Sequence, residues 1–214
     1  MPPYSLALIA LTLSNQPILA SFDHVLSRTF SFSTSDDLAL TRAVQPVLAR
    51  RFFGFAPPTS CTLVPLPAHL RTTRYPRCAA LAVCPTMRVP ADVRWHADLV
   101  YNTMWTLLCE LEHWNAAVGI GPNAENPGNN SGGERRPIRN VAMTALGTGI
   151  GMYDRERCAR QMVLALKHFW DARSQEGQRL RADPPWMTDW DNILPIALQV
   201  TGEDEDTMEA HTHV

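Results

Sequence analysis

The sequence predicts an α/β fold in which helices cover both faces of a sheet. Short apolar runs of strand length alternate with stretches whose apolar residues recur at helical spacing. The clearest unit spans residues 139–170, where an apolar run at 140–146 is followed by a glycine-rich loop and then by a helical pattern. With 214 residues, the chain is long enough for one domain with a sizeable core.

Composition excludes several classes of function. Hydrophobic residues make up 45% of the chain and charged residues 19%, which is usual for a soluble globular protein. Nineteen Lys and Arg against 21 Asp and Glu leave a net charge of −2, so we expect no nucleic-acid partner. Five cysteines without a C-x-x-C spacing favour reduced thiols in a cytoplasmic or nuclear protein. We expect neither a metal site nor a cofactor.

The residue pattern of the N-terminal part predicts a strand followed by a short helix. Residues 5–13 are apolar but lack the basic segment and the cleavage site of a signal peptide. They are also too short to span a bilayer, so we expect a strand of the domain and no membrane partner. A short amphipathic helix follows, with Asp23 in its first turn and apolar or small residues at Phe22, Val25, Leu26, Thr29 and Phe30.

The middle of the chain continues the alternation. A second helix has the buried stripe Leu40, Val44, Val47 and Leu48, with Thr34 and Asp37 as a capping box. Pro46 should kink or divide that helix. Residues 61–66 and 79–84 predict strands, and the three arginines between them (Arg71, Arg74 and Arg77) predict a solvated loop. Residues 97–114 predict a long helix with Val100, Met104, Leu107, Leu108 and Leu111 inward.

We expect one domain over residues 1–172 and a C-terminal tail over residues 173–214. Residues 119–137 are rich in Gly, Asn and Pro and predict a flexible surface insertion. Regularity fades beyond Trp170, and the acidic residues 202–214 predict disorder. His211 and His213 lie in that segment and are expected to be solvated.

The glycine-rich loop is the strongest functional signal. Gly147, Gly149 and Gly151 alternate with Thr148 and Ile150, which allows successive backbone N–H groups to point into one concavity. Asp154 is a natural N-cap for the helix that follows, and the positive end of that helix would add to the attraction for an anion. The loop therefore predicts a phosphate or diphosphate site, the alternative being a tight turn between strand and helix.

Two familiar phosphate loops do not fit these residues. The loop has no Gly-Lys-Ser/Thr ending, so it is not a P-loop. Its G-x-G-x-G spacing also differs from the G-x-G-x-x-G fingerprint of dinucleotide-binding folds. Because ligands of open α/β sheets bind beyond the carboxyl ends of the strands, we expect this loop, residues 86–88 and the start of the Phe22 helix on one rim. Thr86 is therefore a candidate ligand-binding residue.

The order of several motifs resembles the macro domain family, most closely a fungal branch of it. Residues 146–152 (Leu-Gly-Thr-Gly-Ile-Gly-Met) and the helical pattern after them resemble the second phosphate loop and last helix of macro domains. Residues 22–27, 53–58, 85–90 and 100–102 are similar to the same branch. The resemblance covers residues 22–169. It implies a three-layer α/β/α sandwich that binds ADP-ribose or an ADP-ribosylated protein, and in some members hydrolyses ADP-ribosyl linkages.

The resemblance also implies roles for single residues. Gly147, Thr148, Gly149, Ile150, Gly151 and Met152 would cradle the diphosphate through their backbone amides. Tyr153 would border the ribose. Asp23 would be the catalytic residue, because some family hydrolases place an acidic group there to orient a water. The alternative for Asp23 is a helix N-terminal charge stabilised by the dipole.

One departure from the family pattern concerns the residues before Phe22. Residues 15–21 contain no glycine, whereas family members carry a glycine-rich loop there. Residues 5–14 resemble a first strand joined almost directly to the helix, as though an internal piece were missing. The chain is therefore expected either to bind ADP-ribose or to be a non-catalytic scaffold with a degenerate site. A phosphatase is the least favoured interpretation, because no phosphatase nucleophile or metal set is recognisable.

Overall fold

The computed structural model describes residues 5–10, 22–30, 38–70, 78–118, 137–174 and 190–202. These residues form a mixed α/β structure, which confirms the predicted class. The strands are β1 (Ser5–Ala10), β2 (Thr62–Pro65), β3 (Cys78–Val83) and β4 (Ile138–Ala142). The helices are α1 (Phe22–Phe30), α2 (Ala39–Phe52), α3 (Leu99–Ala117), α4 (Arg155–Arg173) and α5 (Trp190–Thr201), with a 3₁₀ turn at Ala68–Leu70.

The four strands form one mixed sheet in the order β2-β3-β1-β4. β1 runs parallel to both β3 and β4, while β2 is antiparallel to β3. The predicted N-terminal strand is therefore confirmed, and it lies between two other strands. Because β1, β3 and β4 are parallel, their carboxyl ends lie at one edge of the sheet, together with the amino end of β2.

From Ala80 to Cys84, which directly follows β3, alternate residues belong to two separate apolar clusters, as the pleat of a strand buried on both sides requires. Ala80, Ala82 and Cys84 pack in one cluster with residues of α3 and α4, among them Leu99, Met104, Leu107, Cys158 and Ala165. Leu81 and Val83 pack in the other with residues of α1 and α2, namely Leu26, Phe30, Ala39, Leu40, Val44 and Leu48. Helices α3 and α4 therefore pack on the first cluster, and helices α1 and α2 pack on the second.

Two predicted elements differ from the observed ones. α2 continues through Pro46, so the predicted division does not occur, while the predicted kink stays a prediction; Pro46 lies on the exposed side of the helix. A carbonyl freed by a proline on that side can bind water. β4 ends at Ala142 rather than at residue 146, because the chain leaves the sheet and buries Leu146 in the α3–α4 cluster.

The apolar residues of α4 only partly mark its buried side. In the sequence, Cys158, Met162, Leu166 and Phe169 recur at helical spacing, which predicts that they face inward. Cys158 is buried, but Leu166 is 49% exposed. The buried line is Cys158, Gln161 and Ala165. The helix is thus rotated so that a glutamine rather than a leucine enters the interior.

The C-terminal region contains a helix where we expected irregular chain. α4 extends to Arg173, and α5 packs against it with Val200 buried. None of the described helices has the length and apolarity needed to cross a membrane. Several predictions lie outside the described residues: the capping box at Thr34 and Asp37, the loop with Arg71, Arg74 and Arg77, almost all of the insertion at 119–137, and the acidic segment after Gly202.

Gln161 joins three helices through its side-chain amide. Its Oε1 accepts from the backbone N–H groups of Val100 and Tyr101, each at 3.2 Å, in the first turn of α3. Its Nε2 donates to the carbonyls of Ala97 at 2.6 Å and Val200 at 3.1 Å. Gln161 is fully buried, so it satisfies orphan N–H groups of the α3 N-terminus and a carbonyl near the end of α5.

Replacing Gln161 by methionine should strongly destabilise the protein. The change conserves most of the volume but leaves several buried polar groups without partners, each worth about 1–3 kcal/mol. We expect the free energy of unfolding, measured with urea, to fall by about 3 kcal/mol or more. Lys167→Ala, an exposed change on the same helix, should stay within about 0.5 kcal/mol. A loss below about 1 kcal/mol in Gln161→Met would contradict this role.

Candidate anion-binding site

Two loops meet at the edge that carries the carboxyl ends of the parallel strands. One loop (residues 143–154) joins β4 to α4 and contains the glycines. The other (residues 84–98) joins β3 to α3. The N–H of Val93 donates to the carbonyl of Gly151 at 3.0 Å. Met87 is so close that its Cε would lie 2.9 Å from a Cβ at Gly151. Two of the three segments predicted to share a rim are therefore in contact.

The carbonyl groups of the three loop glycines all bond within the protein. Gly147 accepts from the N–H of Tyr153, Gly149 from Met152, and Gly151 from Val93, each at 3.0 Å. By contrast, the N–H groups of Gly149, Ile150 and Gly151 find no acceptor among the residues that the structure describes, while the N–H of Thr148 takes part in the turn formed at Leu146 and Gly147. The loop thus has the carbonyl groups of its three glycines occupied, while three consecutive donors at residues 149–151 have no partner in the described chain and could meet an anion.

The three loop positions differ in whether the structure requires a glycine there. Gly147 has φ = +70°, in the left-handed region that disfavours a side chain. At Gly151 a Cβ would lie 2.5 Å from the carbonyl oxygen of Gly147. At Gly149 a Cβ would meet nothing within 4 Å, and the residue is exposed. The internal packing therefore explains Gly147 and Gly151 but does not explain Gly149.

Met152 and Tyr153 end the loop. Met152 has φ = +53° and a side chain that is 57% exposed, and its N–H is bonded to Gly149. The ring of Tyr153 is buried, and its hydroxyl donates toward Gln161 Oε1 at 3.0 Å and the carbonyl of Ala97 at 3.2 Å. These contacts give both residues a part in the structure of the loop, and their expected contacts with a diphosphate and a ribose stay predictions.

The first turn of α4 is capped by the protein itself. Asp154 precedes the helix with extended backbone, and its Oδ1 accepts from the N–H of Arg157 at 2.7 Å. The predicted N-cap is confirmed. The same carboxylate occupies the positive end of the helix, so the loop amides rather than the helix terminus are the principal donors available to an anion.

Several cationic side chains surround this loop. The guanidinium of Arg157 donates to the carbonyl of Ala97 at 2.7 Å and lies 5.3 Å from the centre of the Tyr153 ring, which holds it in place. Arg88, next to Met87, and Arg155, the first residue of α4, are both exposed. Neither forms an ion pair within the described part of the chain. Asp154 and Glu156 lie at the same helix start, so the loop is bordered by charges of both signs.

The remaining predicted residues lie on two other elements. Thr86 follows the end of β3 and is buried, and its hydroxyl has no hydrogen-bond partner among the described residues. Asp23 is the second residue of α1, a helix that packs against α2 and β1. The described residues contain no group of three or more His, Cys, Asp or Glu side chains that could hold a metal ion.

Comparison with known proteins adds no assignment. No protein-family model matches the chain, and no curated protein matches it. The conclusions about function therefore rest on the sequence and on the geometry of the two loops.

Sequence reasoning missed three residues that shape this site. Val93 and Met87 pack on Gly151, and Gln161 fixes the hydroxyl of Tyr153. A signal for Gln161 existed, because it continues the helical line of Cys158 and Ala165 that proved to be buried. No comparable signal marked Val93 or Met87, since both lie in irregular chain.

Alanine at Gly151 and at Gly149 should have opposite consequences for folding. Gly151→Ala drives a Cβ against a backbone oxygen, so we expect a loss of about 1–3 kcal/mol in the free energy of unfolding. Gly149→Ala finds open space and a permitted φ, so the change should be neutral or stabilising by about 0.5 kcal/mol. Urea titration of both variants makes the comparison. Equal losses would show that the loop has a different packing.

The buried tyrosine should make stability fall in alkali. Burial raises the pKa of Tyr153, although Arg157 and Gln161 act in the opposite direction. The folded protein therefore keeps this proton at a pH where the unfolded chain loses it. The resulting stability is present below the ordinary tyrosine pKa of about 10 and is lost as the pH rises through the folded pKa.

Tyr153→Phe has no proton to lose at this position, so its stability should decline less steeply above pH ~10. Urea titrations from pH ~8 to ~11 measure both slopes, and one group contributes at most about 1.4 kcal/mol per pH unit. Parallel declines in the two proteins would show that Tyr153 does not carry the effect.

Proposed function

We propose that this chain binds ADP-ribose or a related nucleotide diphosphate at the loop of residues 147–151. The proposal rests on one observation: the carbonyl groups of the loop glycines are bonded within the protein, whereas several of the loop's N–H groups are not. Three glycine carbonyls are occupied by the protein, while the N–H groups of Gly149, Ile150 and Gly151 have no acceptor among the described residues. A diphosphate offers several charged oxygens to such a row of donors.

The free energy that the loop hydrogen bonds can supply favours a whole nucleotide over an isolated phosphate as the ligand. A hydrogen bond to a charged oxygen contributes about 1.5–3 kcal/mol, so three such bonds give roughly 5–9 kcal/mol before ordering costs. Micromolar affinity requires about 8 kcal/mol net. The diphosphate alone should therefore bind in the millimolar range, and the nucleoside and ribose must supply the remainder.

The macro domain architecture is part of this proposal. Its support is the unit of parallel strand, glycine loop and helix formed by β4, residues 143–154 and α4, together with a helical pair against each cluster of β3. Such a three-layer α/β/α arrangement binds its ligands beyond the carboxyl ends of parallel strands. Both loops of the candidate site lie there.

Hydrolysis of an ADP-ribosyl linkage is a narrower form of the same proposal. Asp23 would orient a water toward the anomeric carbon of the distal ribose while the loop amides hold the diphosphate. Its support is the place of Asp23 in the first turn of α1, after the carboxyl end of β1. Release of ADP-ribose from an ADP-ribosylated protein by the wild type, lost in Asp23→Asn, is the expected result. If neither protein released ADP-ribose, the proposed hydrolase activity would be wrong.

A non-catalytic scaffold is the second candidate function, and one specific observation favours it. Asp154 already occupies the positive end of α4, which reduces the attraction for an anion. Residues 15–21 also lack the glycines of a first phosphate loop. A folded protein with no measurable affinity for ADP-ribose would favour this candidate.

Calorimetric titration with ADP-ribose tests binding, and a matched pair of variants at Gly149 sharpens it. Gly149→Gln and Gly149→Glu place side chains of the same size at a position where the structure leaves space, and they differ in charge. We expect micromolar binding by the wild type and an affinity at least tenfold lower in the glutamate variant than in the glutamine variant, which corresponds to about 1.4 kcal/mol. Equal affinities in all three proteins would show that the diphosphate does not bind at this loop.

A further inference from the structure

Cys61 and Cys84 lie in direct contact inside the sheet. Cys61 immediately precedes β2, and Cys84 immediately follows β3. Both residues are buried, and the thiol of Cys84 donates to the sulfur of Cys61 with the two Sγ atoms 3.4 Å apart. Both are free thiols in this structure.

The register of the two strands brings their backbones close at this point. Thr62 pairs with Val83, so one further step places Cys61 opposite Cys84. The N–H of Leu66 donates to Ala79, which marks that pair as hydrogen-bonded. Hydrogen-bonded and non-hydrogen-bonded residue pairs alternate along an antiparallel pair of strands. Counting from Leu66 and Ala79, Cys61 and Cys84 therefore form a non-hydrogen-bonded pair, with Cα atoms about 4.5 Å apart. Disulfides span Cα separations of about 4.4–6.8 Å, so the backbone need not move far.

We propose that Cys61 and Cys84 form an oxidation site that closes an intramolecular disulfide when the protein meets a peroxide. One sulfur, as its thiolate, attacks a peroxide oxygen, which breaks the O–O bond, forms a sulfenic acid and releases one water after protonation. The second sulfur then attacks that sulfenic sulfur, which forms the S–S bond and releases the second water. The two thiols together lose two protons and two electrons, and one hydrogen peroxide becomes two waters.

Within the described part of the chain, no other pair of cysteines is in sulfur–sulfur contact. Cys78 contacts the carbonyl of Ala80 at 3.8 Å, and Cys158 contacts the carbonyl of Leu146 at 3.5 Å and the sulfur of Met162 at 3.8 Å. Cys109 lies half-buried on α3. Oxidation of the folded protein should therefore join one specific pair.

Burial should make the reaction slow. The contact with Cys84 and burial raise the pKa of Cys61, so its reactive thiolate is scarce at neutral pH. β2 has only one strand neighbour in the described sheet, so local opening of this strand is the expected route for the oxidant. We expect cross-linking over hours, faster at pH ~9 than at pH ~7.

The disulfide would also tether the base of the candidate site. Cys84 begins the loop of residues 84–98, and the carbonyl of the next residue, Pro85, accepts from the N–H of Thr59 at 2.9 Å. Cross-linking the two strands here would fix the start of the loop that packs on Gly151. This inference does not depend on the proposed ligand.

The experiment treats the folded, reduced chain with excess hydrogen peroxide, then unfolds and alkylates it and maps the peptides by mass spectrometry. We expect a loss of 2 Da, a single cross-link between the peptides of Cys61 and Cys84, and alkylation of the other three cysteines. Cys78→Ala, on the same strand, should give the same cross-link. Oxidation in denaturant should give mixed pairings.

Five free thiols after overnight oxidation would overturn the proposal. So would a dominant cross-link between any other pair, or sulfinic acid on Cys61 and Cys84 without a cross-link. Because the decisive result comes from the unmodified chain, it does not require a Cys61 or Cys84 variant to fold.

Discussion

The buried amide of Gln161 is the interaction on which the helical layer depends. It reaches α3 through Val100 and Tyr101, α5 through Val200, and the glycine loop through the hydroxyl of Tyr153. A buried polar side chain is tolerated only when it is fully bonded, and here both the oxygen and the nitrogen of the amide are used. Two further contacts repeat the same linkage at the surface. Tyr101 bonds to His168 at 3.1 Å, and His168 bonds to Gln199 at 3.3 Å, so α3, α4 and α5 are joined twice.

The geometry of the candidate site follows from that linkage. With its hydroxyl held by Gln161, Tyr153 places its N–H on the carbonyl of Gly147 and closes the loop. Val93 closes it from the other side through Gly151. The loop is therefore held by bonds to the carbonyl groups of its three glycines, and none of these bonds uses the N–H groups of residues 149–151. A ligand that binds those amides would meet donors already arranged, which reduces the entropy lost on binding.

The sequence predicted the elements better than the faces they bury. Strand and helix positions followed from short apolar runs and from the period of 3.6, and Asp154 was recognisable as a cap because capping is local. The orientation of α4 was not predictable in this way. Its apolar residues at Leu166 and Val163 are exposed, whereas Gln161 is buried because partners distant in sequence satisfy it. The same limit applies to the site. The alternating glycines indicated a nest, but the position of Gly151 is set by contacts with Val93 and Met87, which come from a separate loop.

The central claim is that the amides of residues 149–151 are the donors that meet a diphosphate, and amide NMR tests it most directly. Spectra of the ¹⁵N-labelled chain would be recorded during titration with ADP-ribose and, separately, with pyrophosphate. The account predicts that both ligands shift the resonances of Gly149, Ile150 and Gly151 most strongly, with saturation at lower concentration for ADP-ribose. Large shifts elsewhere with these amides unmoved, or no shifts from a folded protein, would contradict it.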